Sequence, residues 1–298
     1  MAFQIETAYV NTYKDQVELL SQQTQSILEQ HVTTGDYQGE AASPILQVGV
    51  IKPMTQTSRV QDKSYSEAPL TRRWIKPAPL IYSTIPIERE DEVKMLAQLQ
   101  GGYAQAQVAA FGVEKDKQII TAAFGTALTG KDGSTSTAFD TSGDVAVGFG
   151  AAADTGLNYA KFVEADRIFD GRKVKLMNGD YKVAAIKSYQ HSQMKSQIEF
   201  IKSEYHIVPT MDKNGNIVEF AGWRIAVTEE LPTTSNVTSC LFYVKSGLHL
   251  GHWSRMRGYV RQNQNKVGDP WEVYADEKTG AARTDELKVL RVKCLDSL

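Results

Sequence analysis

Ile45-Leu46-Gln47-Val48-Gly49-Val50-Ile51 and Leu80-Ile81-Tyr82-Ser83-Thr84-Ile85-Pro86-Ile87 enclose a long polar stretch, and these two apolar segments decide how the chain can fold. Both have the composition and partial alternation of β-strands. Residues 52–79 between them are mainly Ser, Thr, Gln and charged residues. We therefore predict a hairpin of the two strands whose loop is unusually long for a compact domain. Because an isolated two-stranded ribbon is marginal in water, something outside the hairpin must hold it if it is ordered, which indicates assembly.

The length and charge of the chain exclude several classes of protein. Its 298 residues can bury a substantial core and form one or two domains. Thirty-three basic and thirty-five acidic residues leave a formal charge of −2, which disfavours nucleic-acid binding as the main function. The N-terminus lacks a signal-peptide pattern, and no apolar run approaches the roughly 20 residues that span a bilayer. The sequence predicts a soluble protein made in the cytoplasm.

Periodic apolar residues predict the remaining helices and strands. An amphipathic helix is predicted over residues 5–32 and a long Ala-rich helix over residues 103–124, with Gly112 as the candidate site of a kink. Shorter helices are predicted over residues 157–169 and 192–202. Strands are predicted at residues 183–186, 223–227, 240–244, 271–274 and 287–292, with a hairpin turn at residues 212–216. This order of elements predicts an α+β fold.

Two motifs offer candidate cofactor or metal chemistry. Residues 145–153, Val-Ala-Val-Gly-Phe-Gly-Ala-Ala-Ala, resemble a strand followed by a G-x-G-x-x-A turn, and Asp166 and Asp170 stand near the distance of a ribose-binding acid. No succession of βαβ units surrounds this segment, so a plain loop is the favoured interpretation. His249 and His252 are three residues apart, but the strand-like alternation around them would point the two rings to opposite faces. Structural or surface histidines are therefore favoured over metal ligands.

The cysteines and the catalytic motifs give no support to an enzyme. Cys240 and Cys294 lie in apolar, strand-like segments and share no metal-ligand spacing with the histidines, so we predict buried small hydrophobic residues. The sequence contains neither a G-x-S-x-G elbow nor a G-x-x-x-x-G-K-[ST] phosphate loop. We therefore predict a protein that is not an enzyme and has no cofactor or metal.

Charge is distributed unevenly around the long loop. Residues 52–76 contain six basic and two acidic residues, a net charge of +4, whereas residues 88–92 contain four acidic residues and one basic residue, a net charge of −3. One hypothesis is that the basic arm of one copy lies across the acidic segment of the next, which would fix register and orientation. The alternative is a solvated loop beside a normally capped helix.

Several segments together resemble the major capsid proteins of tailed bacteriophages, which have the Hong Kong 97 fold. The segments are Tyr9-Val10-Asn11-Thr12-Tyr13, Tyr103-Ala104-Gln105-Ala106 with Ile119-Ile120, Phe220-Ala221-Gly222-Trp223-Arg224-Ile225-Ala226-Val227 with Leu231-Pro232, Leu241-Phe242-Tyr243-Val244-Lys245-Ser246-Gly247-Leu248, and Lys288-Val289-Leu290-Arg291-Val292. The resemblance rests on the order of these segments along nearly the whole chain, together with the long-looped hairpin predicted over residues 45–87.

The resemblance implies a mixed α+β, Hong Kong 97-type fold with discontinuous domains. The implied parts are an N-terminal arm with its amphipathic helix (1–44), an extended hairpin loop (45–87), a peripheral domain with a long spine helix (88–175), an axial domain (176–275) and a C-terminal strand returning to the peripheral domain (276–298). The implied function is that of a major capsid protein that assembles in the host cytoplasm, as hexamers and pentamers, into an icosahedral virion shell around double-stranded DNA.

The resemblance also implies which partners and residues take part in assembly. The partners are other copies of the chain, packaged DNA contacted non-specifically, portal and decoration proteins, and a separate scaffolding protein or none; no membrane is involved. Each extended loop would lie over an adjacent subunit, with Trp74 as anchor because Trp and Arg are enriched in interface hot spots. The interface candidates are Arg59, Lys63, Arg72, Arg73, Trp74, Glu88, Glu90, Asp91 and Glu92. The alternatives are an encapsulin-like compartment, a tail-tube or decoration subunit, and a nucleotide-dependent enzyme.

Overall fold

The chain folds into two compact units, each assembled from segments that are distant in sequence. The computed structural model describes residues 23–49, 51–59, 62–63, 65–68, 70–87, 99–176, 179–196, 210–263, 265–266 and 269–296. Unit 1 comprises residues 1–26, 79–114 and 254–278. Unit 2 comprises residues 27–78, 115–253 and 279–298. The mixture of helices and strands confirms the predicted α+β class.

The α-helices of the described residues are α1 (Leu99–Phe124), α2 (Tyr159–Gly171) and α3 (Ser188–Ser196). The long helix predicted over residues 103–124 is confirmed, and it continues through Gly112. A Cβ at Gly112 would lie 2.6 Å from the backbone nitrogen of Ser26, so the glycine permits close approach of the N-terminal segment. The predicted helix over residues 157–169 is α2, and the helix predicted over residues 192–202 begins earlier, at the start of α3.

Fifteen strands are described. In chain order they are β1 (Thr33–Asp36), β2 (Ala42–Val48), β3 (Leu70–Ile75), β4 (Ile81–Ile87), β5 (Ala127–Thr129), β6 (Thr135–Thr137), β7 (Lys182–Ile186), β8 (Thr210–Met211), β9 (Ile217–Phe220), β10 (Trp223–Val227), β11 (Thr233–Thr234), β12 (Val237–Val244), β13 (Leu248–Gln262), β14 (Trp271–Arg283) and β15 (Val289–Leu295). The strands predicted at residues 183–186, 223–227, 240–244 and 271–274 are confirmed within β7, β10, β12 and β14. The strand predicted at residues 287–292 is confirmed as β15, which begins two residues later.

The core of unit 2 is a sheet whose central strands are buried on both faces. β12 pairs with β7 and β15, and β7 pairs in parallel with β10. The run Cys240-Leu241-Phe242-Tyr243-Val244 is almost fully buried, as an apolar run without polar interruptions requires when both faces of a strand are covered.

Alternate residues of these strands enter two separate hydrophobic clusters. Phe242 lies in the cluster with α2, where its ring centroid is 5.3 Å from that of Phe162 and 4.9 Å from that of Trp223. Leu241 lies in the other cluster, with Ile119 of α1. Because successive side chains of a strand point to opposite faces, this single strand joins the two cores.

The C-terminal strand belongs to the sheet of unit 2. β15 pairs antiparallel with β12 from Val289 opposite Tyr243 to Leu295 opposite Val237. Its apolar residues explain this placement, because Val289 enters one hydrophobic cluster and Leu290 enters the other. The implied return of residues 276–298 to a peripheral domain stays a prediction.

The N-terminal segment forms no α-helix between residues 23 and 32, so that part of the helix predicted over residues 5–32 is wrong; residues 5–22 lie outside the described residues. The backbone amides of Ile27 and Leu28 donate to the two carboxylate oxygens of Asp116, at 3.1 and 3.0 Å. This buried carboxylate takes the bonds that a helix would make internally. β1 then pairs in parallel with His249–His252 of β13.

The predicted hairpin of residues 45–51 with residues 80–87 is wrong in its second strand. β2 pairs antiparallel with β3, so the hairpin closes at residues 70–75. β4 pairs in unit 1 with residues 271–277 of β14. The side-chain amide of Gln107, on α1, donates to the backbone oxygens of Ser83 and Val273, at 3.4 and 3.0 Å. These bonds place α1 against one face of this sheet.

Candidate assembly interface

The hairpin of β2 and β3, the arm, is fixed to unit 2 at its base. β3 pairs with β5, and the indole nitrogen of Trp74 donates to the carbonyl oxygen of Gly130 at 2.9 Å. A Cβ at Gly133 would lie 2.9 Å from the indole, so the ring packs directly under that turn. On the other strand, the Gln47 amide donates to the carbonyl oxygen of Thr284 at 2.6 Å. The base of the arm is therefore anchored to its own subunit.

A buried charge network continues from the arm to the end of α1. Arg73 lies 3.0 Å from a carboxylate oxygen of Glu286, whose other oxygen accepts from Arg283 at 2.5 Å. The fully buried guanidinium of Arg283 also donates to the carbonyl oxygens of Ala123 at 2.6 Å and Gly125 at 2.7 Å. It thus satisfies carbonyl groups that every helix leaves open at its C-terminus.

Beyond its base the arm exposes apolar side chains on one face. Leu46 is directly opposite Arg72, and Val48 is directly opposite Leu70. Residues opposite each other in an antiparallel pair share a face, as do residues two apart on one strand. Val48 and Leu70 are each 62% exposed. We call Leu46, Val48, Leu70 and Arg72 the outer arm face.

The loop that joins the two strands adds further exposed apolar groups. Of the sixteen large hydrophobic residues that are exposed in the described part of the chain, six lie between residues 46 and 70. Ile51, Met54 and Tyr65 belong to the loop, and Tyr65 is 89% exposed. A concentration of this kind marks a protein interaction surface, because monomeric soluble proteins rarely leave such groups uncovered.

The structure separates the predicted interface residues into distinct groups. Arg59, Lys63 and Arg72 are exposed, whereas Arg73 is buried and Trp74 is partly buried in contacts within their own subunit. Glu88, Glu90, Asp91 and Glu92 lie outside the described residues, so the pairing of the arm with an acidic segment stays a prediction. With Arg73 paired internally, the exposed arm carries five basic against two acidic residues between positions 52 and 76, a net charge of +3.

In the glycine-rich motif at residues 145–153, Val145 forms an isolated β-bridge with Val292, and the residues after it form turns. Asp166, the candidate ribose ligand, accepts from the Lys182 ammonium at 2.6 Å and from the Trp223 indole at 3.0 Å. The segment therefore lacks the strand and helix that a dinucleotide site requires, and its nearby acid is used in packing. The favoured interpretation of a plain loop is confirmed.

The cysteines are free and fully buried, as predicted. Beside them lies Lys161, whose buried ammonium group donates to the carbonyl oxygens of Thr155, Gly156 and Lys293 at 2.8 to 2.9 Å. Burial lowers the pKa of Lys161. The sequence analysis missed this residue, which ties the glycine-rich turns to β15.

His249 and His252 lie on β13, as the alternation predicted, and both are buried. The Thr33 hydroxyl donates to the carbonyl oxygen of Leu248 at 2.8 Å, so its oxygen accepts from Nδ1–H of His249, also at 2.8 Å. This assigns Nε2 as the acceptor of the Tyr37 hydroxyl, again at 2.8 Å. Neutral His249 thus holds β1 and the residue that follows it.

The stability of the subunit should fall with acid because of His249. Burial, with a contribution from His252, lowers the pKa of His249 from 6.5 to about 4. The unfolded chain therefore binds more protons between these values, and stability is lost as pH falls below 6.5. We expect the free energy of unfolding to drop by about 2 kcal/mol from about pH 7 to about pH 5 through this residue. Urea unfolding at both pH values would show a smaller drop in His249→Gln; equal drops in the two proteins would contradict the assignment.

Within the described residues, no group of three His, Cys, Asp or Glu side chains could hold a metal ion. None of the helices in that part of the chain is long and apolar enough to cross a membrane. The features that stand out are therefore the clamped base of the arm and its exposed outer face.

Comparisons with known proteins agree with this structure. A model of the phage capsid protein family matches residues 5–296. The capsid of Cyanophage P-SCSP1u is 13% identical over 97% of this chain and 94% of that chain, with a TM-score of 0.73. The capsid of Cyanophage Pam1 is 11% identical over 99% of both chains, with a TM-score of 0.71. The capsid of Ralstonia phage GP4 is 10% identical over 100% of this chain and 98% of that chain, with a TM-score of 0.66. No curated protein matches the chain.

The fold, with its long helix, exposed hairpin and discontinuous units, is the Hong Kong 97-type fold of tailed-phage major capsid proteins. This class is structural and forms the virion shell. The chain belongs to the phage capsid protein family, because the family model matches it from residue 5 to residue 296.

Proposed function

We propose that the chain assembles as hexamers and pentamers into an icosahedral shell around double-stranded DNA, with the arm of each subunit lying on its neighbour. The observation that carries this proposal is an arm fixed at its base and uncovered at its outer face. Burial of the exposed apolar groups of residues 46–70 against a second copy would remove them from water, at about 25 cal/mol per Å². The base would stay in place, so little conformational entropy would be lost on binding.

Charge supports a second contact for the same arm. The exposed arm has a net charge of +3, and residues 88–92 have a net charge of −3. Arg59, Lys63 and Arg72 of one copy would face Glu88, Glu90, Asp91 and Glu92 of the next. Complementary charges of this kind select orientation and speed association more than they raise affinity.

The division into N-terminal arm (1–44), extended loop (45–87), peripheral domain (88–175), axial domain (176–275) and returning C-terminal strand (276–298) remains part of the proposal. The best support for a peripheral domain is unit 1, in which residues 99–114 of α1 pack on β4 and β14. The best support for an axial domain is the two-sided sheet of unit 2. Assembly in the host cytoplasm and binding of scaffolding, portal and decoration proteins belong to the same proposal.

Negative-stain electron microscopy after size-exclusion chromatography tests the proposal. The overexpressed full-length protein should give closed shells or uniform five- and six-membered rings. A protein that stays monomeric at high concentration would overturn the proposal. Shells that contain cargo protein and never nucleic acid would favour an encapsulin-like compartment.

A further inference from the structure

Unit 1 carries a second surface that the arm does not explain, on the open face of its sheet. Three rows of side chains run across β4, β14 and β13. The rows are Tyr82, Asp276 and Arg257; Thr84, Tyr274 and Tyr259; and Pro86, Glu272 and Arg261. Side chains on the opposite face, such as Val273, are buried beneath α1. We call the open side the tyrosine–arginine face.

The three tyrosines of this face stack on one another. The ring centroids of Tyr259 and Tyr274 are 4.8 Å apart with an angle of 21° between planes, and those of Tyr274 and Tyr82 are 6.5 Å apart with an angle of 17°. Side chains of a strand stand roughly perpendicular to the sheet, so stacked rings present their outer edges, which carry the hydroxyl groups. The rings thus use most of their flat surfaces on each other and offer a row of hydrogen-bond donors.

The charged groups of the face lie at two depths. The carboxylates are covered, with Asp276 only 8% and Glu272 only 14% exposed, whereas the side chains of their partners Arg257 and Arg261 are 72% and 63% exposed. Arg255, two residues before Arg257 on the same strand, is also exposed. The outermost layer is therefore positive although the chain as a whole is slightly acidic.

We propose that the tyrosine–arginine face binds the phosphate backbone of double-stranded DNA. This inference rests on the proposed function and names the surface that the packaged genome contacts. Arginine and tyrosine donors are common partners of phosphate oxygens, and such contacts carry no sequence information. Bases are poor candidates for the contact, because ring faces that are already stacked cannot accept them.

Charge also favours DNA over the arm of a second copy as the occupant of this face. The exposed arm is positive, and the outermost groups of the tyrosine–arginine face are positive as well. Opposition of like charges at an interface is unfavourable. DNA is a polyanion and has the complementary charge.

Salt-dependent binding to a short labelled duplex tests the inference with the full-length protein. Fluorescence anisotropy with a duplex of about 30 base pairs at about 50 to 200 mM salt gives the affinity and its salt slope. Arg257→Gln with Arg261→Gln should weaken binding at least about tenfold and reduce the slope by about 1.8, which is about 0.9 for each lost phosphate contact. The matched control is Arg167→Gln with Lys117→Gln, which removes two exposed cations from unit 2 and should leave both quantities unchanged.

A second variant guards against local unfolding of the arginine variant. Changing Tyr82, Tyr259 and Tyr274 to Phe keeps the stacked rings and removes the three hydroxyls, so we expect several-fold weaker binding with an unchanged salt slope. Particle formation is followed by electron microscopy on the same samples. Absence of DNA binding by wild-type subunits before they assemble, or equal binding by all variants, would overturn the inference. Failure of the wild-type protein to form particles would instead count against the proposed function.

Discussion

The double variant Val48→Glu with Leu70→Lys should form at least about ten times fewer closed particles than the wild type while its subunit stays folded. The two residues lie opposite each other and are mostly exposed, so a Glu–Lys pair across the strands preserves the hairpin and the net charge. We expect the free energy of unfolding to change by less than about 0.5 kcal/mol. At a subunit interface the same two charges would be buried, at a cost of several kcal/mol. Particle yield by sedimentation and urea unfolding of the subunit measure the two effects separately.

Val163→Glu with Val218→Lys is the matched control for this variant. Both residues are exposed, at 47% and 45%, and they lie on α2 and β9, which are not part of the arm. The control should assemble like the wild type. A normal particle yield from the arm variant would show that the outer arm face is not an interface.

Replacement of Arg283 by Leu should lower the free energy of unfolding by about 3 to 5 kcal/mol. The substitution removes two short bonds from a buried cation to carbonyl oxygens at the end of α1, and each such charge-assisted bond contributes about 1.5 to 3 kcal/mol. It also removes one of the two arginines that neutralise Glu286. Urea unfolding and the soluble yield of the full chain are the measurements.

Arg283→Lys separates charge from geometry in this network. A lysine keeps the charge but lacks the planar fork that reaches Glu286 and the carbonyl groups together, so an intermediate loss of stability is expected. Arg167→Leu, which removes an arginine from an exposed pair with Glu164, should cost less than about 1 kcal/mol. Equal stability of Arg283→Leu and the wild type would contradict the role of the network.

Local patterns predicted individual elements well and their partners poorly. Helix α1 and strand β10 could be predicted because the periodic apolar residues that indicate each of them lie within the element itself. The partner of β4 lies about 190 residues further along the chain, at β14, and nothing near β4 indicates it. β3 was missed because two adjacent arginines, Arg72 and Arg73, hide its alternation; only one of them is exposed.

The candidate interface was predicted in outline from composition. The exposed arginines at positions 59 and 72 and the polar loop could be recognised because exposure follows from charge. The packing of Trp74 against its own subunit and the burial of Arg283 could not be predicted. Both depend on a turn or a helix end from elsewhere in the chain that packs against the side chain. Arginine is rarely buried, so no local pattern distinguishes a buried arginine such as Arg283 from an exposed one.

The clamp at the base of the arm has a mechanical consequence. Tension applied to the arm by a neighbouring subunit would pass from Arg73 through Glu286 to Arg283, and from there to the last carbonyl groups of α1. The arm would thus act as a lever that pivots on the buried network of Arg73, Glu286 and Arg283. With the arm of each subunit on its neighbour, as proposed, strain between subunits in a closing shell would act on the C-terminal end of the long helix.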